Sequence, residues 1–242
     1  MKMTAAKPLG LTLLVSLLAA CGGGGGGDSG LSVSTPYAVG QGYANLLAAN
    51  RSWTTTGVGS DGRTYTFTLQ TQRLADAAFP LTGVTAARVR QTSTVTASSP
   101  SPVNSPSTTD SYYSLSTGLL IGTYSPDDGS CSRVTASTAL PAQATAGGTG
   151  PLTTEAELNG CTSTSAQTAT TTSTWSLVAA ASANGGAFAL LCENASIVGS
   201  GTVTSGTAAY CVEIGTDGSL GSRAKLTINV PSLPFSLTAT NY

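Results

Sequence analysis

The stretch Thr64-Tyr65-Thr66-Phe67-Thr68-Leu69 alternates without a break. Successive side chains of an extended strand point to opposite faces, so Tyr65, Phe67 and Leu69 share one side and Thr64, Thr66 and Thr68 the other. An apolar, aromatic face backed by a hydroxyl face is the pattern of a strand with a core side and a solvent side. Ser60-Asp61-Gly62 just before it is a hairpin signal, and Arg51-Ser52-Trp53-Thr54-Thr55-Thr56 supplies the partner strand. The same grammar closes the chain. Ala209 to Ile214 leads through Thr216-Asp217-Gly218 into Ala224 to Val230, where Leu226, Ile228 and Val230 alternate with Lys225, Thr227 and Asn229.

Composition extends this reading to the whole chain. Thr (39) and Ser (31) dominate the 242 residues, with Gly (29) and Pro (11) punctuating them. Thr favours strands, and Gly, Pro and Ser favour turns. The expectation is an all-β fold of antiparallel, hairpin-rich sheets, either a sandwich or an open barrel. Disorder is the rival for so simple a composition, but 40% of residues are apolar and only 9% charged, the reverse of a disordered chain. Val39, Tyr43, Leu46 and Leu47 recur at helical spacing, which places one short helix over residues 38–50 as a cap on the first sheet.

Between these ends, period two returns from Arg88 to Thr96, with Val89 and Val95 on one face and Arg88 and Arg90 on the other. Arg73 to Val84 reads as a loop or edge segment interrupted by Pro80. Ser98 to Thr109 carries Pro100, Pro102 and Pro106 and reads as a long exposed loop. Further strands are Tyr112–Leu115, Leu119–Ile121, Cys131–Ser137, Thr153–Leu158, Thr168–Ala181, Ala187–Glu193 and Ser236–Thr240. Leu140 to Leu152 is a connector, and Ala183-Asn184-Gly185-Gly186 a turn. Trp53, Gly62 and Tyr65 echo Trp175, Gly185 and Phe188, and Tyr113 with Leu140-Pro141 echoes Tyr210 with Leu233-Pro234, at unequal offsets of 122, 97 and 93 residues. A duplication would give two similar halves, 37–140 and 152–242, although repeated hairpin chemistry produces such echoes without one.

The amino-terminal residues have a different logic. Lys2 and Lys7 precede an apolar run from Leu11 to Ala20, too short to span a bilayer as a helix. The run ends in Leu18-Ala19-Ala20-Cys21, which resembles the lipobox of bacterial lipoproteins. That resemblance covers residues 1–27, about a tenth of the chain. It implies a signal peptide over 1–20, a diacylglyceryl group on the Cys21 thiol, and acylation of the new amino terminus. Gly22 in place of Asp after the Cys resembles the proteobacterial pattern of sorting to the outer membrane. Gly22 to Gly27 cannot join a packed core, so residues 21–36 form the acylated Cys and a tether of roughly 20 Å reach, and 37–242 the β-rich domain.

Charge and cysteine usage bound the chemistry. Without Lys2 and Lys7, eight basic residues stand against eleven acidic ones, a formal balance of −3. No basic stripe marks a nucleic-acid partner. Cys131, Cys161, Cys192 and Cys211 form an even set in an exported chain, which implies two disulfides. The sequential pairing Cys131–Cys161 and Cys192–Cys211 is the expected one, since each pair can close across neighbouring strands. Their wide spacing, without CxxC, does not suit a metal.

The chain has no histidine, which removes Ser-His-Asp and Cys-His catalysis and His-ligated metals. Lys225, the one lysine after Lys7, sits with Thr227 and Asn229 on the presumed solvent face, so a Ser-Lys dyad has no support. Asp127/Asp128 and Glu155/Glu157 are the candidate carboxylate pairs for glycoside hydrolysis, and Asp127, Asp128 and Ser130 a candidate calcium turn. Surface charge and ordinary turn chemistry account for both. The expectation is therefore no catalytic residues, no metal and no cofactor. The function expected is that of a non-enzymatic, membrane-anchored envelope lipoprotein serving as a structural, adhesion or partner-binding module, its partners the membrane through the lipid anchor and an unidentified envelope protein or hydrophobic ligand. The alternative is a carrier of a lipid or other hydrophobic ligand in a β cavity lined by Trp53, Tyr65, Phe67, Tyr112, Tyr113, Trp175 and Phe188.

Overall fold

The computed structural model describes residues 34–97, 103–182, 186–200 and 203–242. The signal, the Gly run and Cys21 lie outside the described residues, as do positions 183–185 of the expected turn. One helix, α1 (Val39–Ala48), precedes thirteen strands: β1 (Arg51–Gly59), β2 (Thr64–Arg73), β3 (Ala77–Ala78), β4 (Thr85–Ala97), β5 (Val103–Tyr113), β6 (Leu120–Tyr124), β7 (Cys131–Ser137), β8 (Thr149–Leu158), β9 (Gln167–Ala181), β10 (Ala187–Gly199), β11 (Gly206–Ile214), β12 (Leu220–Val230) and β13 (Phe235–Thr240).

Every pairing is antiparallel, and almost every strand pairs with the next in sequence. Two contacts turn this meander into a barrel. β2 passes over the two-residue β3 to pair with β4, Phe67 opposite Val95, and β13 returns to β1, Thr240 opposite Thr56. Twelve strands therefore close on themselves, with β3 as an extra piece against the start of β4. Closure satisfies both edges that an open sheet would leave unpaired.

Period two decides which side chains enter. One interior row runs Trp175, Glu193, Tyr210, Leu226 and Ala239 across β9 to β13. The largest apolar cluster lies inside, with Trp53, Phe67, Leu69, Val95, Ile197, Tyr210, Leu226, Ile228 and Leu237 all buried. The outer face carries threonine rows: Thr56 faces Thr66, Thr66 faces Thr96, Thr54 faces Thr68, and Thr68 faces Thr94. A membrane-spanning barrel turns an apolar band outward; this one turns hydroxyls outward. Hydroxyls also line part of the interior, since Ser93, Ser107, Thr109, Ser111, Ser132, Thr171 and Ser173 are buried.

A barrel of about eight strands is just filled by its own side chains. Twelve leave more room, and α1 takes up part of it. The helix lies across one end of the barrel. Val39 joins Trp175, Leu177, Leu191 and Ile214, and Leu46 packs against the main cluster. The expected cap thus fills a closed barrel's end. Its seat is the β11–β12 turn, where Asn45 Nδ2 donates to the Gly218 carbonyl at 2.8 Å. Gly218 has φ +84°, and a Cβ there would stand 2.9 Å from the Gly42 nitrogen. No helix of the described residues is long and apolar enough to cross a membrane.

Two sequence expectations change. Much of Ser98–Thr109, expected as a loop, is strand β5, with Pro106 opposite Thr94. Proline fits because β6 pairs only with Asp110 to Tyr113, leaving that flank of β5 free. The Thr108 N–H on the same flank donates to Asp127 Oδ2 at 2.6 Å. β10 also runs on past Glu193 to Gly199, because both β9 and β11 continue beside it.

Candidate functional site

The end of the barrel that holds α1 is its mouth. The long connections 74–84, 114–119 and 138–148 gather there, together with the turn 215–219. Between α1 and these loops lies an open cavity of about 460 Å³, bounded by Tyr43 and Leu47 of the helix, Tyr113, Leu115 and Leu119 around the β5–β6 turn, and Leu140. Leu115 is 59% exposed on its rim. An inner cavity of about 60 Å³ lies deeper, among Phe67, Trp175, Leu191, Tyr210 and Glu193. Tyr43, Leu140 and Leu152 border both. Leu152 reaches them because the β8 register slips between Pro151 and Thr153, which buries Leu152 and Thr153 together.

The inner space suits a few waters or one compact group, whereas the mouth falls within the range of small-ligand pockets. Leucines and alanines make up much of the mouth's lining, with hydroxyls from Ser114, Thr117, Ser137, Thr138 and Thr153 and Arg73 at its edge. The Arg73 guanidinium is occupied by Asp76 and by the Leu74 and Arg88 carbonyls.

Below the mouth the interior is acidic. Glu155 is buried, accepting from Ser132 Oγ and, at 3.0 Å, from Thr153 Oγ1. Glu157 accepts from Thr171 Oγ1 at 2.7 Å. Glu193 faces the inner cavity and has no hydrogen-bond partner among the described residues. Burial, reinforced by the neighbouring Glu155 charge, pushes the carboxyls of Glu157 and Glu193 up to about 8, and burial raises Glu155 as well. Burial lifts the phenols of Tyr43 and Tyr113, and the nearby Glu193 and Glu155 carboxyls push both the same way. The Tyr210 hydroxyl, in a residue only 7% exposed, has no hydrogen-bond partner among the described residues.

The structure places the sequence-derived candidates as follows. Glu155 and Glu157, read from the sequence as surface charges, point into the barrel; the outward positions between and after them are Ala156 and Leu158, which are themselves buried. Asp127 caps the free flank of β5, and Asp128 accepts from Ser130 N and Oγ at 3.0 and 2.7 Å, so both do turn work. Among the described residues no group of three or more His, Cys, Asp or Glu is arranged to hold a metal. Lys225 lies on the outer face opposite Cys211.

Of the aromatics, Phe67 and Trp175 line the inner cavity and Tyr113 the mouth. Trp53 and Tyr65 pack in the interior beside them. Tyr112 and Phe188 lie outside the barrel, Tyr112 under Phe79 of the 74–84 loop and Phe188 against Tyr242. The disulfides are Cys131–Cys161 and Cys192–Cys211, both in the outer clusters and away from the mouth. Glu193 was not singled out in the sequence, although its place in Ala189-Leu190-Leu191-Cys192-Glu193 puts it on the face of Ala189 and Leu191. Compared with known protein families, curated proteins and solved structures, the chain has no match.

Proposed function

We propose that this chain is a lipid-anchored envelope protein whose barrel mouth holds a hydrophobic or amphipathic small molecule. The observation that carries the reading is the apolar cavity of about 460 Å³ between α1 and the mouth loops. Leu115, exposed on its rim beside the half-buried Leu119, supports it, since apolar side chains around an open cavity are what a hydrophobic ligand covers.

The position of the tether agrees with this role. Tyr37 pairs with Ala144 of the 138–148 loop, its N–H donating to the Ala144 carbonyl at 2.8 Å, so the described chain enters at the mouth end. With Cys21 acylated, the mouth sits within roughly 20 Å of the bilayer from which an apolar ligand would come. The protein acts here as a binder and not as an enzyme.

Native mass spectrometry of gently purified protein tests the ligand. A co-purified small molecule, lost when Leu115 and Leu119 are both replaced by Asp, is the expected result. A clean apo mass, with no stabilisation by any amphiphile, would leave the structural or partner-binding role in its place. The anchor has its own test: Cys21→Ser should move the protein from the membrane to the soluble fraction, and unchanged membrane association would refute lipidation.

A further inference from the structure

We infer that the molecule held at the mouth carries a primary ammonium head, which passes Tyr43 and pairs with Glu193 in the inner cavity. This rests on the hydrophobic-ligand reading and adds the chemistry of the head.

Four observations carry it. First, Glu193 is the interior carboxyl without a protein hydrogen bond, whereas Glu155 and Glu157 are engaged by Ser132, Thr153 and Thr171. Second, all eight Arg and Lys residues of the domain lie on the outer face, at its turns or on the rim: Arg88 and Arg90 pair with Asp110, Arg223 with Glu213, and Arg73 with Asp76. No basic side chain among the described residues reaches the inner cavity. A carboxylate facing a narrow interior cavity without a counter-ion is costly, and an incoming cation offsets that cost.

Third, the Tyr210 hydroxyl is unpartnered, and Tyr210 is the cross-strand neighbour of Glu193 in the lining of the same cavity. A phenol oxygen accepts from an ammonium N–H. Trp175, the other cross-strand neighbour of Glu193, adds an aromatic face of the kind cations prefer. Fourth, the sizes divide correctly: about 60 Å³ suits a compact head and about 460 Å³ an apolar tail. A carboxylate head would instead meet Glu193, with Glu155 close enough to act on the same carboxyl.

The titratable groups facing Glu193 are Glu155 of β8, Tyr43 of α1, Tyr113 of β5 and Tyr210 of β11, with Glu157 behind Glu155 on the same strand. None brings a positive charge. Cation binding therefore requires that Glu193 give up a proton, and affinity should rise with pH.

The experiment uses the full-length chain carrying Cys21→Ser, so that no acyl group competes, and calorimetric titration with decylamine, decanol and decanoate below their micellar concentrations. At pH 8.5 decylamine should bind at least tenfold more tightly than the other two. Alkylammonium stays charged down to pH 6, so a tenfold or greater fall in its advantage by pH 6 reports the acid in the cavity. Glu193→Gln should abolish the advantage and leave decanol binding unchanged. Equal affinity for decylamine and decanol, tightest binding of decanoate, or a preference that survives Glu193→Gln would overturn the ammonium assignment while leaving the hydrophobic-ligand reading intact. Failure of all three to bind would overturn both. The pH dependence of the Cys21→Ser chain with Glu193 intact decides the matter even if Glu193→Gln does not fold.

Discussion

Glu193 shows how one residue couples the interior to pH. Its carboxyl, like that of Glu157, titrates near 8 in the fold because burial disfavours the charge. In the unfolded chain a glutamate titrates near ~4.3. The folded form thus binds protons more tightly, so its extra stability is complete below the unfolded value and is lost as pH rises toward 8. Each group contributes a slope of up to about 1.4 kcal/mol per pH unit in that window. The melting temperature should fall between pH 5 and pH 8.5, and Glu193→Gln should flatten the fall while raising stability at the alkaline end. Scanning calorimetry across that range checks both, and a melting temperature that climbs with pH would contradict the burial of these acids. The parity of Glu193 was legible from Ala189 and Leu191. The parity of Glu155 and Glu157 misled, because Ala156 and Leu158 hold the outward positions and are themselves covered.

At the scale of elements, α1 depends on one close approach. Gly218 sits at positive φ with the Ala38 carbonyl and the Gly42 nitrogen within 3.0 Å of where a Cβ would go. Gly218→Ala meets backbone on both counts and should cost about 1–3 kcal/mol. Urea denaturation monitored by tryptophan fluorescence would show it, and unchanged stability would mean that the helix seat yields. Cys192 and Cys211 oppose each other directly in β10 and β11, closing a separation of 19 residues. Replacing both with Ser should lower stability by roughly 3 kcal/mol on the chain-entropy account and leave ligand binding intact, since the bridge is on the outer face. A chemical-denaturation series with and without decanol measures both effects. The helix and most hairpins were visible as periodicity and turn residues. Strand β5 was not, because proline and serine signal a loop locally while the free flank that admits Pro106 is set by the length of β6, a strand later in the chain.

For the whole molecule, closure dominates. β1 and β13 lie at opposite ends of the domain, yet Thr56 and Thr240 are partners. Such long-range pairing is slow to form and ties the two ends into one unit. The β-strands of 37–140 and 152–242 contribute to a single barrel, with β7 joined to β8 and β1 to β13. Unfolding should therefore be one cooperative transition, and residues 37–140 expressed alone should not give a folded β spectrum by circular dichroism, because both edges would be exposed along with half of the core. Independent folding of that segment would show that the halves are separable.

By itself the sequence determined the alternation of faces, the turn positions, the short helix and the lack of histidine chemistry. These are local properties, written in neighbouring residues and in composition. Only the tertiary structure decided that the sheet closes, that twelve strands leave room for a helix and two cavities, and that three carboxyls end up inside without a cation. Each of those depends on which distant strands pair, and period two states that a strand has two faces without stating which of them a closed barrel will turn inward.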